Sequence, residues 1–259
     1  RIVKYGVKCN QPPPISGYNS TPIKAEKDNC KMFDPVDVVC FDLDDTLWPC
    51  RPVLERAEQV VYAWLSTHCP AVVAKYSSAG LVERRMGYMS KQLHLQHDMT
   101  SMRYNFFMQL FEEFGIRDAG LAQEALITFR SARNQVQPFD DVVPALNKLQ
   151  SKYVLTSYSN GNAQLEETGL MPFFAGAHLS EHTGFAKPKR QAFDWLASHY
   201  KTAPERILFV GDDPGNDIDG PRDAGLQVCW INRTSSSWES SSAAPVSVRN
   251  LLELAAFLP

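Results

Sequence analysis

The strongest constraint on the fold is a set of short apolar, β-branched runs that alternate with helix-like stretches. The runs are VDVVCF (36–41), YVLTSY (153–158), GAHLS (176–180), RILFVG (206–211) and LQVCWIN (226–232). Runs this short and this apolar read as strands buried on both faces of a parallel sheet. AQLEETG (163–169), KRQAFDWLASHY (189–200) and DIDGPRDAG (217–225) lie between them and read as helices. Gly169 and Gly225 stand where such helices would end, and Pro188 stands where one would begin. Strands alternating with helices predict an α/β fold with a Rossmann-like, mainly parallel sheet.

Residues 51–138 break this alternation. Val53, Ala57, Val60, Val61, Trp64 and Leu65 follow helical spacing. So do Tyr104, Phe107, Leu110, Phe111 and Phe114, and again Leu121, Ala122, Ala125, Leu126 and Phe129. No strand signal intervenes. This predicts an insertion of about four helices packed like a small bundle, directly after the first strand. The α/β core is then expected from 33–50 and 139–259. The links near 48–52 and 138–141 carry Pro49, Pro52 and Pro138, and are expected to act as hinges.

The charge balance excludes some classes of function. The chain has 259 residues, with 26 Lys and Arg against 29 Asp and Glu, a formal charge of −3. A mildly acidic chain lacks the positive field of a generic nucleic-acid binder. No apolar run is long enough to span a bilayer. The cysteines at 9, 30, 40, 50, 69 and 229 form no C-x-x-C pair and have no zinc spacing. Cys40 and Cys229 fall in strand-like runs and are expected to be inert buried thiols. Residues 1–32 hold Pro12, Pro13, Pro14 and Pro22, no amphipathic period, and no acid before Glu26. They read as a disordered leader. The acid-poor composition and the missing initial Met suit either the remnant of an organellar transit segment or a flexible leader. Residues 234–245 read as a Ser-rich linker, and VRNLLELAAFL as a closing helix.

The chemistry-bearing residues gather where the strand runs end. Asp42-Leu43-Asp44-Asp45-Thr46 follows the first run, and Gly211-Asp212-Asp213-Pro214-Gly215-Asn216-Asp217 follows the fourth. Ligands of open parallel sheets bind at the carboxyl ends of strands. Two carboxylates one residue apart can divide the work there, one attacking an electrophile and the other moving a proton. Asp42, Asp44, Asp212 and Asp217 would repel one another in a dry cleft unless a hard divalent cation joined them, and Mg2+ is the usual one beside phosphate. Ser159-Asn160-Gly161 offers a hydroxyl and backbone N–H groups to an anionic oxygen. Lys187 can place a positive charge over the same site.

DLDDT, SNG, KP and GDDPGND, in that order on successive strands, resemble the haloacid dehalogenase superfamily of phosphohydrolases. The resemblance spans about residues 36–232, and the helical insertion is similar to that family's cap. It implies Asp42 as the nucleophile that forms an aspartyl-phosphate. It implies Asp44 as the acid for the leaving oxygen and then the base for water. Ser159, with Asn160 and Gly161, would bind the phosphoryl group, and Lys187 would hold it against Asp42. Mg2+ would be bound by Asp42, Asp212 and the main-chain carbonyl of Asp44, with Asp217 supporting its shell. Thr46 would steady the first loop beside the substrate. Asp45 is expected to be structural. Asp213 either binds metal or bonds to its own loop.

Dehalogenases of the family need no metal and lack the second acid, so Asp44 points to phosphate chemistry. A phosphomutase would use the same residues, and a non-catalytic flavin-binding module would have lost one of the two acids. Substrate choice is expected from the cap. Trp48 either stacks on a flat ring or packs the hinge. Arg103 either binds a substrate anion or makes an ordinary salt bridge, on a helix that Asp98 or Thr100 would cap. DLDDTLWPCRPVLERAE, HDMTSMR and GDDPGNDIDGPRDAGLQVCWINR are similar to a branch of bacterial and plant-plastid phosphatases. Those act on flavin mononucleotide and on the phosphorylated ribitylamino-pyrimidine precursor of riboflavin. This implies a small phosphorylated metabolite as the partner, with pyrimidine nucleotides or sugar phosphates as alternatives. With the acid-poor leader, it also implies a chloroplast stromal location, the alternative being cytoplasmic.

Overall fold

A computed structural model describes residues 32–258. The leader expected over 1–32 lies outside the described residues, apart from Met32. Six parallel strands form one sheet in the order β3-β2-β1-β4-β5-β6. They are β1 (Val38–Phe41), β2 (Val154–Ser159), β3 (Gly176–Leu179), β4 (Ile207–Gly211), β5 (Gln227–Ile231) and β6 (Val246–Val248). The apolar runs form strands because both faces of the sheet are covered. Val39 and Phe41 join the hydrophobic cluster of one face, while Val38 and Cys40 join that of the other. This is the period of two that a pleated strand imposes.

The helices are α1 (Cys50–His68), α2 (Pro70–Lys75), α3 (Ser78–Met89), α4 (Met99–Glu112), α5 (Ala119–Arg133), α6 (Val142–Leu149), α7 (Ser180–Thr183), α8 (Arg190–Tyr200), α9 (Gly220–Asp223) and α10 (Leu251–Phe257). On one sheet face Val142, Leu146 and Leu149 of α6 pack with Leu251 and Leu254 of α10. On the other, Phe193 and Leu196 of α8 meet Phe209 and Ile207 of β4. None of the helices among the described residues is long and apolar enough to cross a membrane.

Helices α1 to α5 wrap a hydrophobic cluster of their own, including Ala57, Val61, Leu65, Phe107, Phe111, Ala125 and Phe129. These are the positions whose helical spacing marked the insertion. Five α-helices stand where four were expected, because Pro70 starts the short α2 immediately after α1. Asp98 caps α4 by accepting the Ser101 N–H at 2.8 Å. The two chain links between these helices and the sheet run side by side, with the Phe139 N–H donating to the Leu47 carbonyl at 3.0 Å.

Three local expectations are corrected. Residues 163–169 form only a single 3-10 turn, Leu165–Glu167. Residues 217–225 divide into a π-helical turn, Pro214–Asp219, and the short α9. The Ser-rich segment is pinned rather than free. Ser240 and Ser242 donate to the Asp219 carboxylate at 2.8 and 2.6 Å, and Trp238 packs on Trp230 with ring centroids 5.2 Å apart. A sixth strand, β6, follows that segment.

Candidate active site

The central strands β2, β1 and β4 end side by side, and their ends carry Ser159, Asp42 and Asp212. The chain winds outward from β1 to β3 on one side and from β4 to β6 on the other. The site therefore lies at a topological switch point, where a crevice opens at the strand ends.

Lys187 is the centre of charge. Its Nζ donates to Asp42 Oδ1 at 2.7 Å and to Asp217 Oδ1 at 2.6 Å, with all three residues buried. Burial alone would lower the Lys187 pKa, but the Asp217 and Asp42 carboxylates reverse this and hold it raised. Burial pushes the Asp42 carboxyl up, Lys187 opposes the shift, and Asp217 and Asp212 reinforce it. Asp212 is pushed up to about 7, first by burial and then by the charges of Asp217 and Asp45.

Asp42, Asp212 and Asp217 bring carboxylate oxygens within 4.8 Å of one another. One lysine does not neutralise three acids, and an all-oxygen donor set suits Mg2+. Asp217 has both oxygens engaged, Oδ1 by Lys187 and Oδ2 by the Asp213 N–H at 3.1 Å. Asp42 and Asp212 would thus hold the ion directly, with Asp217 acting through Lys187 and the ion's waters. The Asp44 carboxylate is not part of this group, which leaves its main-chain carbonyl as the expected ligand atom.

Close packing enforces the arrangement. A Cβ on Gly211 would overlap the Asp217 carboxylate. Gly211→Ala is expected to displace Asp217 from Lys187 and to weaken Mg2+ binding by tenfold or more, roughly the effect of losing an outer-shell partner. Isothermal titration with Mg2+ measures this, and unchanged affinity would refute it.

Asp44 faces the cap. Its Oδ1 accepts from Trp48 Nε1 at 2.9 Å and from Arg133 Nη2 at 2.6 Å, and its Oδ2 also accepts from that Nη2 at 2.5 Å. Arg133 ends α5 and is 1% exposed, and its Nη1 is buried with no partner. An unpaired buried donor costs on the order of 1–3 kcal/mol, more when it is charged. Nothing in the motif reading identified Arg133. The available signal was an arginine in the last turn of the insertion, just before the chain returns to the core.

Other expected site residues take different positions. Trp48 is fully buried and bonded to Asp44, so it packs at the chain link and offers no ring face to a substrate. Arg103 pairs with Glu58 at 2.9 Å and lies 3.2 Å over the Phe129 ring, 5% exposed inside the cap, so it is a salt-bridge residue. Thr46 is fully buried and donates to Asp212 Oδ1 at 3.4 Å, supporting the acid rather than touching a substrate. Asn160 uses both ends of its amide on the Lys187 backbone, each at 2.8 Å, and so braces the lysine. Asp213 accepts from the Gly215 and Asn216 N–H groups at 3.0 and 2.7 Å, a bond to its own loop. Asp45 takes a left-handed φ of 57° and caps α1 by accepting the Cys50 N–H at 2.8 Å.

Ser159 accepts the Gly161 N–H at 3.0 Å and keeps its own hydroxyl proton for a further acceptor. A Cβ on Gly161 would lie 3.0 Å from Asp44 Oδ2, so glycine allows the acid and the loop to approach. A cavity of about 220 Å3 over Asp42, Asp44, Ser159, Gly161, Lys187 and Asp212 is where these groups converge. A larger one, about 670 Å3, opens beside it against Trp230 and Arg233. The converging charges lie in the smaller cavity.

A carboxylate held by a lysine at the end of a central strand, with a second acid beside it, is the arrangement that the motifs predict. A family model described as haloacid dehalogenase-like hydrolase matches residues 36–225. The chain belongs to this family. It is 27% identical to the 5-amino-6-(5-phospho-D-ribitylamino)uracil phosphatase YigB of Escherichia coli, over 86% of this chain and 96% of that one. Among solved structures it resembles a 2-haloacid dehalogenase of Pseudomonas syringae, with a TM-score of 0.79 and 30% identity over 86% of this chain and 98% of that one. The putative hydrolase YfnB of Bacillus subtilis, solved with magnesium, shares the fold at a TM-score of 0.63 and 22% identity, over 87% of this chain and 99% of that one. The haloacid dehalogenase-like chain described here is thus a hydrolase whose named relatives include phosphatases.

Proposed function

We propose that this hydrolase is a Mg2+-dependent phosphomonoesterase acting on the ribityl phosphate end of flavin mononucleotide or of its phosphorylated ribitylamino-pyrimidine precursor. The observation that supports this reading is Lys187 bridging Asp42 and Asp217, beside Asp212 and a separate Asp44. Asp42 attacks phosphorus through its second oxygen. The ester P–O bond breaks, and the leaving alkoxide takes a proton from Asp44. Water then attacks the aspartyl-phosphate, gives its proton back to Asp44, and releases phosphate and Asp42. Lys187 and the Ser159 hydroxyl neutralise and orient the phosphoryl oxygens, as a phosphoryl transition state requires. Mg2+, held by Asp42 and Asp212, supplies further positive charge.

The ribityl phosphate assignment draws on a relative that matches most of both chains. It does not rest on ring stacking, because Trp48 is buried. Phosphate release from ribityl phosphates and its loss with EDTA are the expected results. A kcat/KM panel should rank flavin mononucleotide and the pyrimidine precursor above pyrimidine nucleotides and sugar phosphates. A sugar phosphate turned over tenfold faster would refute the assignment. The Pseudomonas syringae fold match favours a second reading, carbon–halogen cleavage. That reaction needs neither Asp44 nor Mg2+, and metal-free halide release from a 2-haloacid would establish it.

A further inference from the structure

Arg133 has two features that the proposed reaction does not use. Its Nη2 occupies both oxygens of Asp44, and its Nη1 is buried without a partner. Trp48 Nε1 adds a second donor, on Asp44 Oδ1. Asp44 still borders the cavity, but a guanidinium on both of its oxygens competes with the proton that the leaving oxygen needs. Drawing that guanidinium away favours Asp44 as the acid. Trp48 is fixed by full burial. Arg133 lies at the end of a long side chain, against the glycine that lines the phosphate end of the cavity. A Cβ on Gly161 would be 3.6 Å from its Nη2.

We propose that Arg133 is a specificity-determining residue that reads the leaving group. Its ligand class is the phosphate ester of a polyhydroxylated alcohol. A hydroxyl oxygen near the ester accepts from the unpaired Nη1 and draws the guanidinium off Asp44, freeing the acid where the ester oxygen will depart. An alkyl phosphate without hydroxyls leaves Arg133 on Asp44, where it competes with the proton that the alkoxide needs. Recognition and acid catalysis are thereby linked through one side chain. This inference rests on the phosphomonoesterase reading.

The test compares ribitol 5-phosphate with n-pentyl phosphate, which has the same carbon chain but no hydroxyls. The wild-type protein with Mg2+ is expected to prefer ribitol 5-phosphate in kcat/KM by about 100-fold or more, the kind of rejection a site built for hydrogen bonding achieves. Arg133→Met is expected to collapse that ratio to within about threefold. Arg133→Lys, which keeps the charge but loses the planar fork, is expected to lose most of it as well. It also supplies the comparison should the Met variant fail to fold. An unchanged ratio in the folded variants, with both rates merely scaled down, would make Arg133 a structural residue and overturn the proposal. Wild-type protein that releases no phosphate from either ester would overturn the phosphomonoesterase reading itself.

Discussion

Asp42→Asn is expected to lower kcat by at least about 10^4-fold while leaving the fold intact. The asparagine has the same shape, and its amide oxygen can still accept from Lys187 Nζ, which bonds to Asp42 Oδ1 at 2.7 Å. What it lacks is the anionic oxygen that would attack phosphorus in the proposed reaction. Lys187 keeps its bond to Asp217 at 2.6 Å, so no buried cation is left unpaired. Burial and the nearby acids outweigh Lys187 in working against the Asp42 charge, so its removal carries little net cost to the folded state. Rapid-quench kinetics with labelled substrate should show no acid-stable acyl-phosphate on the variant, and thermal melting should show little change. Turnover within tenfold of wild type would refute Asp42 as the nucleophile.

The residues of this prediction are those that the sequence exposes most clearly. Asp42, Ser159 and Asp212 each follow an apolar run, and a parallel sheet brings the carboxyl ends of its strands together. Lys187 and Asp217 were legible through the motifs that surround them. The cap side of the site was not. Arg133 reaches Asp44 across 89 residues, and that contact depends on how α5 is rotated against the sheet. Helical spacing marks which face of a helix is apolar, but it does not say which polar residue at the helix end touches another unit. Arg103 shows the same limit from the other side. Helical spacing leaves Arg103 either a substrate contact or a salt bridge, and only the packing, with Glu58 and Phe129 enclosing it, decides for the salt bridge. The Ser-rich segment misled because composition registers the lack of apolar residues, whereas the Asp219 carboxylate that pins it lies in another part of the chain.

Asp212 should make the metal-free protein sensitive to pH. Its carboxyl titrates near 3.8 when unfolded and is raised to about 7 in the fold, chiefly by burial and then by Asp217 and Asp45. Between those values the native state binds a proton that the unfolded state has released. Stability must therefore fall as pH rises from about 4 to about 7, by up to about 4 kcal/mol for a shift of roughly three pH units. For a chain of this size that is a drop of about 10 °C in Tm. Mg2+ is expected to reverse the effect above pH 7, since an ion bound by the native carboxylates as proposed stabilises that state by mass action. Asp212→Asn removes the titrating group. Without metal it is expected to melt several degrees above wild type at pH 8. It should lose the part of the pH slope that Asp212 carries, the raised Asp42 carboxyl keeping its own, and show little or no Tm increase with Mg2+. Turnover should fall with the metal site, so stability would be gained at the expense of activity. Thermal melts of both proteins from pH 4 to pH 8, with and without Mg2+, measure all of this. A pH slope that survives undiminished in Asp212→Asn would place the titration on another group.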